Sequence, residues 1–247
     1  MRVDTFFDFL TFEYMYWYMY HSYNPTNTMN RHIPVELETF ARQALAKYDK
    51  SHDFDHGVRV YANARSIVHK MGVNGSNPTN GCKHVFDSLE FRVIMYACIL
   101  HDVLDHKYKG VSDFGEQELR EFLNNALGES GASTCLHIIR NISWSGERAG
   151  RNVPLERRDI LRLIVQCADW MDAIGEIGIQ RCIEFSEQRG GELPYAVLDH
   201  MHEKLLQIHD KLPIPEAREL AYPHHVYMEK WLERVELELS ARGDERV

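Results

Sequence analysis

Two long apolar runs, each ending at residues of metal-ligand type, constrain this chain more than any other feature. The run VIMYACIL is followed by His101-Asp102, and LRLIVQCA is followed by Asp169. Each run is apolar enough to form a buried helix. Ionisable side chains at the end of a buried helix are costly unless they are paired or bind a cation. The sequence therefore predicts a helical core with a polar cluster inside it.

The rest of the chain has the same helical character, and no segment shows the alternating pattern of a strand. We predict an all-α fold with a single domain over 34–240, an aromatic N-terminal extension and linker over 1–33, and a polar tail over 241–247. The predicted helices cover 34–48, 51–70, 87–105, 116–127, 134–142 and 154–174, with three more between 177 and 240 broken near Gly190 and Pro213. Loops are predicted at 71–81 and 143–154.

Charge and cysteine content narrow the class of protein. The net charge of −9 disfavours a nucleic-acid partner, since such proteins carry basic surfaces. A small phosphorylated substrate stays compatible, because a bound cation can reverse the local charge. The five scattered cysteines indicate reduced thiols in a cytoplasmic, intracellular protein.

The aromatic N-terminal segment is interrupted by Asp8 and Glu13 and is short for a membrane span, so no span is predicted. We expect it to pack on the domain or on a second copy of the chain in a homodimer. A membrane-surface anchor is the less favoured alternative, because the segment is weakly basic.

Three His-Asp dipeptides occur, whereas random order of this composition gives about one, so the dipeptide alone identifies nothing. His101-Asp102 is distinguished by the apolar run before it, and Asp105 lies on the same helical face. His56 precedes apolar residues on another helix. Two imidazoles and two carboxylates suit one divalent cation: Mn, Fe, Co, Ni or Zn, with Mg where carboxylates and water dominate. For any one of these histidines alone, a hydrogen-bonded core residue is the alternative.

Five motifs carry a resemblance to a known family. They occur in the order SHDFDHGVRVYANA, ILHDVLDHKY, IIRNISWSG, CADWMDAIGEIGIQR and HEKLLQIHDKL. Together, over residues 34–240, they resemble the HD-domain superfamily of metal-dependent phosphohydrolases, and in particular a bacterial branch with nucleoside triphosphate pyrophosphohydrolases. The resemblance implies an HD-type helical bundle that binds one divalent metal ion, with Mn or Mg favoured. It implies the metal ligands His56, His101, Asp102 and Asp169.

The same resemblance implies a metal-bound water that attacks a phosphate ester or anhydride, most simply that of a nucleotide. Asp105 would be the general base or water-positioning residue, with a role as a partner of His101 as the alternative. Lys107 would neutralise a phosphate oxygen, with a solvated lysine as the alternative. Four more residues would contact the substrate: His52, Asn141, Ser143 and Lys204.

Three activities remain open at this point. Nucleoside triphosphate pyrophosphohydrolysis is favoured, and the alternatives are a nucleoside monophosphate phosphatase and a non-catalytic module that binds metal and nucleotide. Trp170 and His224 stand where related sequences often carry arginine, and Pro223 is expected to interrupt its helix. These departures leave the predicted metal ligands intact and point to differences in the substrate pocket.

Overall fold

The structure is a computed structural model, and it describes residues 33–48, 52–74, 86–105, 114–153 and 159–244. Over these residues the chain is entirely helical between its turns and loops, which confirms the predicted all-α fold. The helices are α1 (Val35–Ala44), α2 (Phe54–Asn74), α3 (Ser88–Leu100), α4 (Glu116–Arg140), α5 (Trp144–Arg148), α6 (Ile160–Asp172), α7 (Gly175–Gln188), α8 (Tyr195–His200), a π-helical turn (Met201–Leu205), α9 (Leu206–Lys211) and α10 (Pro215–Ala241).

The core is built around α2, α3 and α6. Helix α2 packs against both α3 and α6, α4 covers α3, and α10 packs along α7. Eight consecutive residues of α3, from Val93 to Leu100, are buried, as are most residues of α6. A helix that is buried on all sides belongs in the centre of a domain. Each fully buried Leu or Ile of these helices contributes roughly 1.5–3 kcal/mol.

Helix α3 has a well-defined start. Asp87 caps it by accepting a hydrogen bond from the Glu90 amide at 2.8 Å, and Glu90 Oε2 accepts one from the Asp87 amide at 3.0 Å. This capping box satisfies two backbone donors that would otherwise lack partners. The helix ends at Leu100, earlier than predicted, and His101 and Asp102 lie in the turn that follows. The polar cluster therefore lies directly beyond the buried apolar run.

Several predicted boundaries were wrong for local reasons. The predicted segments 116–127 and 134–142 lie in α4, where Gly128, with a non-helical φ of 72°, marks a kink at which two helices join; the separation was predicted correctly, but the second helix begins before residue 134. Helix α2 continues to Asn74, into the predicted loop, and the predicted loop 143–154 contains the short helix α5. Pro223 lies inside α10, which runs through it without a break.

Four cysteines among the described residues, Cys98, Cys135, Cys167 and Cys182, are buried and unpaired, as the sequence predicts for reduced thiols. Burial raises the pKa of the Cys167 thiol to about 12. A protonated, buried thiol is chemically inert. Residues 1–32 lie outside the described residues, so the predicted extension, its role and the homodimer stay predictions. None of the helices that the structure describes is both long and apolar enough to span a membrane.

Candidate metal centre

Gly57 lets α2 approach α3 closely enough for His56 to reach His101. A Cβ atom at position 57 would lie 3.0 Å from both the Cα and the carbonyl oxygen of Ile99, closer than real Cβ atoms normally come. The next residue towards the N-terminus, His56, is 2% exposed and projects from the first turn of α2. Its amide donates to Asp53 Oδ1 at 2.9 Å, which fixes the start of the helix.

Hydrogen bonds determine which nitrogen of each imidazole faces the cluster. His101 Nδ1 lies 2.8 Å from the Cys98 carbonyl oxygen, and His56 Nδ1 lies 2.7 Å from Asp172 Oδ2. A carbonyl oxygen and a carboxylate can only accept, so both Nδ1 atoms donate. Both Nε2 atoms then point inward, where they lie 3.2 Å apart.

Two carboxylates complete the cluster. Asp102 Oδ2 lies 3.3 Å from His101 Nε2 and 3.5 Å from His56 Nε2. Asp169 Oδ1 lies 3.4 Å and 3.5 Å from the same two atoms. Within the described part of the chain, Asp102 Oδ2 is buried without a hydrogen-bond partner. Four acceptor atoms that converge in this way need a positive charge among them.

A proton supplies that charge in the metal-free protein. Burial alone lowers the pKa of His101, but the charges of Asp102 and Asp169 outweigh burial and raise this pKa to about 10. Burial likewise raises the pKa of Asp169, and the neighbouring His101 and His56 reverse this and hold it well below its usual range. The donor set of two nitrogens and two oxygens also fits a divalent cation, which would replace the proton.

Asp172 is a buried residue of this site that the sequence analysis missed. Besides the bond from His56, its carboxylate accepts bonds from Arg59 Nε at 2.9 Å and Nη2 at 3.1 Å. Arg181 Nη1 donates to it at 2.6 Å. Burial raises the pKa of Asp172, but the bond from His56 and the charges of the histidine and both arginines outweigh this and lower it to about 2. The spacing D-x-x-D in CADWMDA was the available signal, since it places both carboxylates on one face of α6.

A cavity of about 470 Å³ opens above the cluster, and His56, His101, Asp102 and Asp169 all line it. Among the described residues, its wall includes four permanently basic side chains, which are Arg140, Arg151, Arg181 and Lys204. The three arginines were not predicted as site residues. They come from the end of α4, the loop after α5 and the middle of α7, so only the fold brings them together.

The structure brings most of the predicted substrate and catalytic residues to this cavity. His52, Asp105, Ser143 and Lys204 line it. Potential ligand atoms of His52, Asp102 and Asp105 lie within 4.8 Å of one another, beside the first cluster. Lys107 lies outside the described residues, so its role stays a prediction.

Asn141 does not line the cavity. Its side chain donates from Nδ2 to the His137 carbonyl at 2.8 Å, and its Oδ1 accepts from the Val153 amide at 2.9 Å. These bonds tie the two ends of the loop that carries α5. The placement supports a structural role for Asn141 in place of the predicted contact with substrate.

Trp170, one of the departures noted in the sequence, forms part of the cavity wall with Trp144. The two indoles meet edge to face, with ring centroids 4.7 Å apart at 77°. Trp170 Nε1 donates to the Ile142 carbonyl at 3.1 Å. The second departure, His224, packs against Gly175 at the start of α7, where a Cβ atom would lie 2.6 Å from His224 Nδ1.

Comparison with known proteins gives consistent likenesses. No protein-family model matches the sequence. The Bacillus subtilis protein YpgQ is 25% identical over 210 residues, which are 83% of this chain and 92% of YpgQ. Its crystal structure in complex with ADP has the same fold, with a TM-score of 0.62 at 23% identity over 82% of this chain and 93% of that chain. The crystal structure of an HD-superfamily hydrolase from Bacillus thuringiensis is 27% identical, with a TM-score of 0.58 over 83% of this chain and 96% of that chain.

The helical architecture is that of these structures, and its inward-facing cluster has the residues to hold a metal ion. The neighbours include an HD-superfamily hydrolase, and this supports the predicted HD-domain superfamily of metal-dependent phosphohydrolases.

Proposed function

We propose that this protein hydrolyses a phosphoanhydride of a nucleotide, with a nucleoside triphosphate as the favoured substrate and pyrophosphate as the leaving product. One observation carries the proposal. The two facing Nε2 atoms and the two carboxylates form the floor of a cavity whose wall holds four basic side chains. A cation site beside several positive charges suits a substrate that carries more than one phosphate.

His56, His101, Asp102 and Asp169 are the proposed ligands of the cation. A divalent cation held by these residues would supply a nucleophilic water near neutral pH and would offset negative charge on the phosphoryl group. Mn or Mg are the favoured ions, and Fe, Co, Ni and Zn share the preference for these ligand types. The protein contributes rigidity, because His56 and Asp169 stand on α2 and α6, the other two ligands lie in the turn directly after α3, and these three helices pack in the core.

The basic residues are proposed to hold the phosphate chain. Arg181 and Lys204 are less exposed than Arg140 and Arg151, and the four side chains come from different elements of the fold. Charged donors from several elements can contact phosphates at different distances from the cation. A monophosphate would use only part of this set, and this favours a triphosphate as the substrate.

Asp105 and His52 are proposed to act beside the reacting phosphorus. A water oxygen attacks the α-phosphorus, the bond from that phosphorus to the bridging oxygen breaks, and the products are a nucleoside monophosphate and pyrophosphate. Asp105 orients the water and accepts its proton. His52 contacts a phosphate oxygen. The closeness of both residues to Asp102 supports these roles.

A nucleotide is favoured over other phosphate compounds for two reasons. The relative YpgQ has been crystallised with ADP. The edge-to-face pair of Trp144 and Trp170 also gives the cavity an aromatic wall on which a nucleobase can pack.

The test is a turnover assay with purified protein, Mn²⁺ and panels of nucleoside tri- and monophosphates, with pyrophosphate and phosphate measured separately. Pyrophosphate release from a triphosphate supports the proposal. Phosphate release from monophosphates alone would favour the phosphatase alternative. Nucleotide binding without any turnover would favour a non-catalytic binding module.

A pair of matched variants tests the role of Asp105. Asp105→Asn should lower kcat by roughly 100-fold or more, as expected for loss of a general base. Asp210→Asn removes a carboxylate from another His-Asp pair, where the side chain is 82% exposed, and should leave turnover unchanged. Unchanged turnover in Asp105→Asn would remove Asp105 from the mechanism.

A further inference from the structure

Asp172 stands one helical turn after Asp169 at the end of α6, and it is 5% exposed. It makes no direct contribution to the cluster of four acceptor atoms. Its carboxylate lies behind His56, on the side of the imidazole away from His101. A buried carboxylate in this place either serves the neighbouring metal ligand or only balances the charge of the arginines.

We propose that Asp172 is a positioning residue that fixes the orientation and tautomer of His56 and links this metal ligand to Arg181 on the cavity wall. The inference rests on the proposed metal-binding function of the cluster.

Asp172 fixes the tautomer of His56 through a single hydrogen bond. An imidazole can present a lone pair on Nε2 only if the proton is on Nδ1. The 2.7 Å bond to Asp172 Oδ2 holds the proton on Nδ1 and sets the plane of the ring. Carboxylates that accept from the second nitrogen of a metal-binding histidine also make the ligand more basic.

The carboxylate of Asp172 is itself held rigidly by Arg59. Arg59 lies one turn after His56 on α2 and binds both oxygens of Asp172, Oδ1 through Nε and Oδ2 through Nη2. Such paired bonds fix the plane of a carboxylate as well as its position. The residue that orients His56 is therefore itself held from the same helix.

Arg181 connects Asp172 to the cavity wall. Its Nη1 donates to both the side chain of Asp172 and the Asp172 carbonyl oxygen, at 2.6 Å and 3.1 Å. Arg181 also lines the cavity, where it is a proposed phosphate contact. One carboxylate thus sets the distance between a metal ligand and a cation that faces the substrate.

The experiment measures Mn²⁺ binding by calorimetry without substrate, so that its outcome does not depend on turnover. In Asp172→Asn the amide has one accepting oxygen and cannot receive bonds from His56 and both arginines together. We expect Mn²⁺ affinity to fall roughly 10- to 100-fold, the usual effect of losing such a partner. Wild-type affinity in Asp172→Asn would overturn the proposal.

Two further variants separate positioning from charge balance. Asp159→Asn, at the other end of α6, removes a carboxylate that lies 3.8 Å from Arg162 and 3.7 Å from His137, and Mn²⁺ affinity should stay unchanged. Asp172→Asn leaves two arginines without their counter-charge and should lower the melting temperature. The double variant Asp172→Asn, Arg59→Gln removes one of these guanidinium groups, so its melting temperature should partly recover while its Mn²⁺ affinity stays low. Recovery of both together would reduce Asp172 to a charge-balancing role.

A measurement on the wild type covers the case in which Asp172→Asn does not fold. Nitrogen-15 NMR of the Zn²⁺-loaded protein should show His56 with its proton on Nδ1. A proton on Nε2 would contradict the proposal.

The link to Arg181 is tested with ADP as the probe. Arg181→Gln should weaken ADP binding at saturating Mn²⁺ and leave the Mn²⁺ affinity unchanged. An equal loss of Mn²⁺ affinity would refute separate roles for Asp172 and Arg181.

Discussion

Replacing Arg162 with methionine should loosen one wall of the cavity without touching the metal centre. The Arg162 residue is 1% exposed, and its guanidinium donates from Nε to the Asn141 carbonyl at 3.0 Å and from Nη1 to the Val153 carbonyl at 2.8 Å. These two carbonyls mark the two ends of the loop that carries α5. Methionine keeps most of the apolar stem and removes both bonds.

The size of the effect follows from those two bonds. Hydrogen bonds that involve a charged group contribute about 1.5–3 kcal/mol each, and the loss leaves two carbonyl oxygens without their partner. Removing the buried charge offsets part of this loss of stability, because burying the charge cost free energy in the wild type. We therefore expect a net loss of about 3 kcal/mol in the free energy of unfolding. For a chain of this length that corresponds to a fall in Tm of roughly 6–12 °C.

Thermal unfolding and calorimetry with Mn²⁺ check this prediction together. Mn²⁺ affinity should stay at the wild-type value, because none of the four proposed ligands lies on the loop. KM for the nucleotide should rise, since Ser143 and Arg151 reach the cavity from that loop. Arg162→Lys keeps the charge and serves as the control for charge alone. A methionine variant that melts within about 2 °C of the wild type would refute the reasoning, because the two bonds would then contribute almost nothing.

Three further changes test the packing and the protonation of the site. Gly57→Ala should lower the free energy of unfolding by roughly 1–3 kcal/mol and weaken Mn²⁺ binding, because the alanine Cβ would meet the Ile99 backbone at 3.0 Å. An unchanged Tm and an unchanged Mn²⁺ affinity would contradict this close approach. Mn²⁺ affinity should rise with pH, because the metal ion displaces a proton from a site in which the pKa of His101 is about 10. Calorimetry in buffers of different ionisation enthalpy should detect the release of about one proton on Mn²⁺ binding. Pro223→Ala should raise Tm, since this proline is exposed inside α10 and lacks a helical N–H; a lower Tm would show that packing requires proline there.

Much of the fold could be predicted because the helical periodicity is strong in the core. The buried runs of α3 and α6 follow directly from their apolar sequences. The errors fall where one residue changes the backbone locally. Pro223 is accommodated inside α10, and periodicity alone cannot decide this outcome, whereas the predicted break after residue 127 lies at Gly128.

The residues of the candidate site could be predicted where they follow apolar runs. They could not be predicted where residues far apart in the sequence meet only in the folded structure. His101, Asp102 and Asp169 stand out because burial makes their polarity costly. Arg181 carries no such signal, since an arginine on a helix is ordinarily solvated, and for Asp172 the sequence offers only its three-residue spacing from Asp169. Asn141 was assigned to the substrate from its motif, whereas its amide holds the ends of a loop.

The facing imidazoles also set a limit on when the proposed metal site can form during synthesis. His56 and His101 are 45 residues apart, and the partner of His56, Asp172, is 116 residues further along the chain than His56. Contacts of such long sequence separation form late, because loop closure must precede them. The complete set of proposed ligands cannot assemble until α6 has left the ribosome. A cation bound by only some of them before that point would be held less tightly than in the folded protein.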